Sequence, residues 1–267
     1  MKRRDFVRTS VLGCSLAGIA PVISKASEIT ESMEKQSLEF YELRVYTLKN
    51  EAQQKLVEDY FKNAAIPALN KIGSRNVGVF TELKPEGFTK LYALIPYKSM
   101  DDFLRSSERL SQDKKYAQAA AAYLNAPATA PAYERIESSL LRAFTGMPKI
   151  EVPSKKSRIF ELRRYESPSE SAGKKKIEMF NTAGEISIFK RTGLTPVFFG
   201  ETLIGPQRPN LTYMITFDDM DEHDRNWKQF GSDPEWKKIS SMPEYADAKI
   251  ISHINATFLK PVEFSQI

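Results

Sequence analysis

Residues 41–46, YELRVY, return as FELRRY at residues 160–165. Both stretches alternate apolar and polar side chains, which predicts a β-strand with two different faces. Residues two apart share a face of a strand, so Glu, Arg and Tyr stand together on one face in both copies. The recurrence predicts a chain built from two copies of one unit.

The segments that follow each copy repeat in the same order. A helical apolar stripe covers residues 56–72 in the first half and, more sparsely, 177–189 in the second, where Gly184 weakens it. Gly73 and Gly193 stand where each helix should end in a residue with positive φ. Further strands are predicted at 76–83, 194–204, within 90–102 and 210–222, and at 133–144 and 249–259.

Helix caps support this division. Ser99 precedes Asp102 by three residues as a variant of the capping box, and Asp233 precedes Pro234 as the cap of a new helical turn. The resulting order, strand, helix, two strands, helix and strand, predicts an α+β protein with two tandem ferredoxin-like βαββαβ domains at 39–145 and 158–262. Residues 146–157 form the linker. Two such sheets can join in a barrel, and closure within one chain or between two chains both stay open.

The N-terminal segment has the features of an export signal. Residues 1–26 combine Arg3 and Arg4, an apolar stretch and a small-residue cleavage site ending at Ala26, and they resemble a twin-arginine signal peptide. Lipid attachment at Cys14 is the less favoured alternative. Residues 27–38 are predicted to be a flexible leader, and the mature protein is expected to be periplasmic or extracellular, with no stable membrane span.

The basic charge comes largely from this segment. Five of the 39 Lys and Arg and one of the 34 Asp and Glu lie within residues 1–26, so the rest of the chain carries 34 basic and 33 acidic residues. A nearly neutral protein has little with which to attract phosphates, so no nucleic-acid partner is predicted.

Common cofactor and metal patterns are absent from the sequence. It has no GxGxxG, GxxxxGK, GxSxG or HExxH motif, and its only cysteine is Cys14. No cofactor or metal is therefore predicted. A haem held by His253 remains a separate alternative, and His223 is expected to be a solvated helix residue.

The repeats resemble the NIPSNAP family of dimeric α+β-barrel proteins. The resemblance rests on YELRVYTL, FELRRY and GSDPEWKKI (231–239) and covers about residues 38–261, although the first half has QDKKYAQA (112–119) in place of the DPEW corner. It implies the barrel fold without an agreed activity. Related α+β-barrel families include cofactor-independent monooxygenases, decyclising enzymes and haem enzymes, so the fold alone does not choose among them.

The repeated polar faces are the candidate site. In one interpretation, Glu and Arg pair at the seam between the sheets and fix how the halves meet, because buried charges must be paired. In the other, they line the barrel: arginine binds an anionic group of the substrate, glutamate orients the arginine, and tyrosine moves a proton. The substrate-binding candidates are Glu42, Arg44, Glu161 and Arg163, and the catalytic candidates are Tyr46, Tyr165 and His253.

The leading functional hypothesis is a protein that binds a small organic molecule in the barrel. Oxidation or rearrangement without a metal would be compatible with it, and aromatic residues facing inward would make the cavity apolar. The alternative is a non-enzymatic interaction protein whose barrel is only a scaffold. A homo-oligomer is compatible with both.

Overall fold

The computed structural model describes residues 37–267, and the predicted signal peptide and most of the flexible leader lie outside them. Eight antiparallel strands form its centre. They are β1 (Phe40–Leu48), β2 (Gly78–Glu82), β3 (Thr89–Tyr97), β4 (Arg135–Ala143), β5 (Ile159–Glu166), β6 (Thr195–Ile204), β7 (Asn210–Phe217) and β8 (His253–Pro261).

The strands form one closed barrel in the order β1-β3-β2-β8-β5-β7-β6-β4. Each half contributes a four-stranded ferredoxin-like sheet with its first and third strands in the middle. The two sheets join where β2 pairs with β8 and where β4 pairs with β6. The tandem α+β fold is therefore confirmed, and the barrel closes within a single chain.

Helices cover the outside of the barrel. They are α1 (Glu51–Tyr60), α2 (Ile66–Lys71), α3 (Met100–Gln112), α4 (Lys114–Ala119), α5 (Ala121–Leu124), α6 (Glu170–Asn181), α7 (Glu185–Arg191), α8 (Met220–Ser232), α9 (Pro234–Ser240) and α10 (Asp247–Ile250). A π-helical turn, Phe61–Ala65, joins the first two, and a 3₁₀ turn spans Pro243–Tyr245. None of these helices is long and apolar enough to cross a membrane.

The predicted caps are confirmed, whereas two boundaries differ. Ser99 accepts the Asp102 amide and Asp233 caps α9, while Gly73 and Gly193 both have positive φ. Gly184 separates α6 from α7, so the second half has two helices where one stripe was predicted. The last strand begins at His253 and not at residue 249, because 247–250 form a helical turn.

One end of the barrel is filled with apolar side chains. Inward-facing residues from both halves pack there; they include Tyr41, Phe80, Leu94, Leu141, Phe160, Phe198, Met214 and Leu259. The linker closes this end, since Glu39 accepts the amide of Ile150 and Glu151 donates its amide to Val197. The opposite end, where β1 and β5 finish and β4 and β8 begin, holds a cavity.

Candidate functional site

The polar face of YELRVY lies under the helices and not inside the barrel. Arg44 donates two hydrogen bonds to Glu42, at 2.6 and 2.9 Å. Ser138 and Tyr97 donate to the same carboxylate, at 2.7 and 3.3 Å. The Glu42 carboxylate is therefore held by Arg44 and by neighbouring strands of its own half.

Tyr46 completes this face among aromatic rings. Its ring is fully buried, and its hydroxyl lies 3.2 Å from the hydroxyl of Tyr123. Burial raises the pKa of Tyr46, so at neutral pH the hydroxyl keeps its proton. These contacts make Tyr46 a packing residue of the helix layer with no open space beside it for a substrate.

The second copy, FELRRY, builds a larger cluster in the same place. Glu161 accepts from Arg163 and from the Trp227 indole, the latter at 3.0 Å. Arg163 also donates to the Tyr165 hydroxyl and lies 4.7 Å from the centre of the Trp227 ring. Tyr213 donates to Tyr165 at 3.0 Å. As in the first half, every polar group of the face has a partner.

His223 belongs to this cluster and is not a solvated helix residue, as the sequence had suggested. Only 15% of its side chain is exposed, and its Nε2 lies 3.4 Å from Glu161 Oε2. Its ring packs edge-on against Phe217 and Phe258. The acidic residues next to it in the sequence indicated an exposed helix surface, but His223, in the first turn of α8, faces the sheet.

The interpretation that placed these six residues inside the barrel is therefore wrong about their location. Glu42, Arg44 and Tyr46 share the outer face of β1, and Glu161, Arg163 and Tyr165 share the outer face of β5. Nor do the pairs meet at a seam between the sheets, since each bonds within its own half. None of the six lines the barrel cavity or the three other main clefts of residues 37–267.

His253 lies exposed as the first residue of β8. It does not line the cavity at the open end of the barrel or any of the three other main clefts of the described residues. An exposed strand residue without a surrounding pocket does not fit an axial haem ligand. Among residues 37–267, no group of three or more His, Cys, Asp or Glu side chains is placed to hold a metal ion.

A cavity of about 290 Å³ occupies the open end of the barrel. Its wall is mostly polar, in contrast to the aromatic cavity expected from the composition. The polar lining side chains come from seven strands and one loop; they include Thr47, Lys90, Tyr92, Glu137, Ser139, Arg164, Thr202, Gln207, Asn210, Thr212, Asn255 and Thr257. Leu43, Val45 and Leu162 form its floor.

Arg164 supplies a cation to this cavity. Its Nε donates to Glu166 at 3.2 Å, and 31% of its side chain is exposed. No residue within 37–267 accepts a hydrogen bond from its two terminal nitrogens. Arginine presents a planar set of donors that matches a carboxylate, so these free N–H groups can bind an organic acid.

Tyr92 and Glu82 form a second polar feature at the wall of the cavity. The Tyr92 hydroxyl donates to Glu82 at 2.9 Å, and Lys90 lies 3.9 Å from the same carboxylate. Burial, followed by the nearby charge of Glu82, raises the pKa of Tyr92. Tyr92 therefore remains a hydrogen-bond donor at neutral pH and is not poised to act as a base.

The sequence does contain a feature that singles out Arg164, although Arg164 was not among the predicted site residues. FELRRY has Arg164 where YELRVY has Val45, on the face opposite the repeated triad. A charged side chain on an otherwise apolar face indicates a local need for charge. The inward positions of Lys90, Tyr92 and Glu137 follow only from the strand register. Lys90 lies opposite Thr47 of β1, and Tyr92 and Glu137 lie on either side of Val45.

Solved structures with this fold come from several bacteria. A candidate monooxygenase of Fusobacterium nucleatum matches with a TM-score of 0.56 and 11% identity, over 85% of this chain and 94% of that one. A candidate monooxygenase of Lactobacillus acidophilus matches with a TM-score of 0.53 and 9% identity, over 84% and 94%. At these identities the likeness shows a shared fold.

Single-domain relatives match one half at a time. A NIPSNAP family protein of unknown function from Agrobacterium tumefaciens is 22% identical, over 40% of this chain and 91% of that one, with a TM-score of 0.36. No curated protein sequence matches the chain. The NIPSNAP family model, however, matches residues 41–145 and 160–266. Because these two matches cover most of the chain, the protein belongs to the NIPSNAP family and carries two copies of its domain.

Proposed function

We propose that the protein binds a small organic acid in the polar cavity of the barrel, with Arg164 holding the acidic group. The observation that supports this most directly is a guanidinium with free N–H groups in a cavity large enough for a small molecule. Arg163 is the contrasting case, because all three of its guanidinium nitrogens donate to Glu161 or Tyr165. Both terminal nitrogens of Arg164 are left open to the cavity.

The polar wall supports binding of a ligand with several hydrogen-bonding groups. Thr, Ser and Asn side chains surround Arg164, and such groups fix the orientation of a ligand without adding charge. Glu137 is the acidic lining residue opposed to Lys90 and Arg164. Glu166 and Glu82 lie beside those two cations, so the open terminal nitrogens of Arg164, and not a net positive charge, are what would bind an acidic group.

The repeated Glu–Arg pairs have a different role in this proposal. The Glu161–Arg163 pair holds α8 against the sheet through Trp227, whereas the Glu42–Arg44 pair links neighbouring strands of the first half. The tyrosines next to both pairs pack against the helix layer. Oxidation or rearrangement of the ligand would then depend on Lys90, Tyr92 or Glu137 in the cavity. The pairs under the helices would not take part.

Titration with small carboxylic acids tests the proposal. In isothermal calorimetry or ligand-observed NMR, we expect the full chain to bind at least one such acid and Arg164→Met to weaken it at least tenfold, the usual effect of losing a charge-assisted pair. Arg142→Met is the matched control, because Arg142 lies on the outer face of β4 beside Glu201 and half of its side chain is exposed. Equal binding by both variants, or none by the wild type, would reject the proposal and favour a barrel that is only a scaffold.

We also propose that the protein acts after export, in the periplasm or outside the cell. The support is the twin-arginine pattern and apolar stretch of residues 1–26. Cell fractionation followed by N-terminal sequencing tests this: a mature form beginning near residue 27 outside the cytoplasm is expected, and an uncleaved cytoplasmic chain would contradict it.

A further inference from the structure

The barrel wall is split on one side, between β2 and β8. These strands pair only from Phe80–Pro261 to Glu82–Leu259, and one more bond joins the Leu83 amide to Phe258. Earlier residues of β8 have no strand partner on that side within residues 37–267. The chain of β2 turns away there into the loop that leads to β3.

The equivalent seam, between β4 and β6, is covered by a loop. Its ladder is also short, running only from Ala143–Gly200 to Leu140–Ile204, but the loop after β6 lies against the unpaired start of β4. A Cβ atom added at Gly205 would come within 2.6 Å of the Ser139 hydroxyl. The opening between β2 and β8 is therefore not a general consequence of the repeated fold.

A surface cleft of about 520 Å³ fills this opening. We name it the side cleft; its main lining residues are Glu82, Lys84, Lys90, Met220, Thr257 and Phe258. Lys90 and Thr257 also line the barrel cavity, so the two spaces adjoin. Between them stand the Tyr92–Glu82 hydrogen bond and the long Lys90–Glu82 contact. Lys90 is about half exposed, so this boundary includes a side chain that is free to move.

The two spaces differ in chemistry. The barrel cavity holds Arg164 among hydroxyl and amide groups. The side cleft balances Lys84 and Lys90 against Glu82 and Glu86 and adds the apolar surface of Met220 and Phe258. Met220 is 39% exposed at the first turn of α8 and, with Phe258, gives the side cleft an apolar side.

From this continuity we infer that the ligand is an elongated organic acid. Its carboxylate binds Arg164 in the barrel, and its chain passes between Lys90 and Thr257 to lie against Met220 and Phe258 in the side cleft. This inference rests on the proposed function and adds the class of ligand. The polar inner cavity favours the acidic end, and the charge-balanced cleft favours the less polar end.

A series of straight-chain monocarboxylic acids of increasing length tests the inference. In calorimetric titrations of the full chain, affinity should change little among the shortest acids and then rise by up to about fourfold for each further methylene that becomes buried. Met220→Ser should weaken the long acids severalfold and leave the short acids unchanged.

The repeat supplies a matched control for the cleft variant. Met100 begins α3 in the first half as Met220 begins α8 in the second, but it lines neither the barrel cavity nor the side cleft. Met100→Ser should leave the whole series unchanged. If Met220→Ser and Met100→Ser behave alike, or affinity does not depend on length, the inference is overturned.

The two proposals fail in different ways. If short acids bind and need Arg164 but length has no effect, the elongated ligand is rejected and the barrel site stands. If acids of every length bind equally well to Arg164→Met, or none binds at all, the barrel site is rejected and the elongated ligand falls with it.

Discussion

Arg44→Met separates a structural role of the YELRVY face from a chemical one. The Glu42 carboxylate is 7% exposed and receives two hydrogen bonds from Arg44 and one each from Ser138 and Tyr97. Removing one partner of a buried ion pair costs about 3–5 kcal/mol. Because Ser138 and Tyr97 still stabilise Glu42, we expect a loss of about 3 kcal/mol in the free energy of unfolding.

The pH dependence of this loss gives a second check. Burial alone would raise the pKa of Glu42, but the hydrogen bonds and charge of Arg44 lower it below its ordinary value of 4.5. In the wild type, the stability from Glu42 is therefore present above pH 4.5 and is lost as the pH falls. Without Arg44, burial dominates and the pKa rises, so the deficit of the variant should shrink between pH 7.5 and pH 4.5.

Urea unfolding followed by far-UV circular dichroism measures both effects. Glu42→Gln/Arg44→Met is the control, since an amide can still accept from Ser138 and Tyr97 without a buried charge, and it should recover most of the loss at pH 7.5. Organic-acid binding by folded Arg44→Met should equal that of the wild type. A loss below about 1 kcal/mol together with abolished binding would refute the structural role of the pair.

Three further changes test other parts of the fold. Lys176 and Glu185 form a buried pair at 3.2 Å, so Lys176→Met should cost about 3–5 kcal/mol and Lys176→Met/Glu185→Met should restore much of it in urea unfolding. Burial raises the pKa of Glu185, so stability from this group is full below pH 4.5 and falls as pH rises; the Lys176→Met deficit should grow accordingly. Ser99→Ala should remove the α3 cap, cost about 1 kcal/mol and lower Tm by about 2–4 °C in a thermal melt, whereas exposed Ser107→Ala should not. Arg3→Lys/Arg4→Lys should leave the uncleaved precursor in the cytoplasmic fraction on an immunoblot; normal export would exclude the twin-arginine route.

The fold was predictable because its signals are local. Alternation marks the strands, Gly73 and Gly193 mark helix ends, and Ser99 and Asp233 mark helix starts, all within a few residues of the sequence. Because the unit is repeated, each of these weak patterns occurs twice in the sequence, which strengthens its interpretation. Boundaries that depend on tertiary packing were less predictable: alternation continues back to residue 249, although 247–250 turn as a helix against α6.

The candidate site was predictable only in part, because alternation does not say which strand face is inside. In this barrel both faces are buried, one by helices and the other by the opposite wall. In each repeated pair, Glu and Arg bond to each other under the helices, so their charged character did not predict on which side of the sheet they are buried. Arg164 shares the inner face of β5 with Leu162, so it faces the cavity. That its terminal N–H groups are free becomes apparent only in the closed barrel.

Native mass spectrometry of the protein purified gently from its own host tests the barrel site most directly. We expect a reproducible extra mass of a small organic acid on the wild type, its loss in Arg164→Met, and its retention in the outward-facing control Arg142→Met. A bare wild-type protein, or an extra mass that Arg164→Met retains, would contradict binding in the barrel.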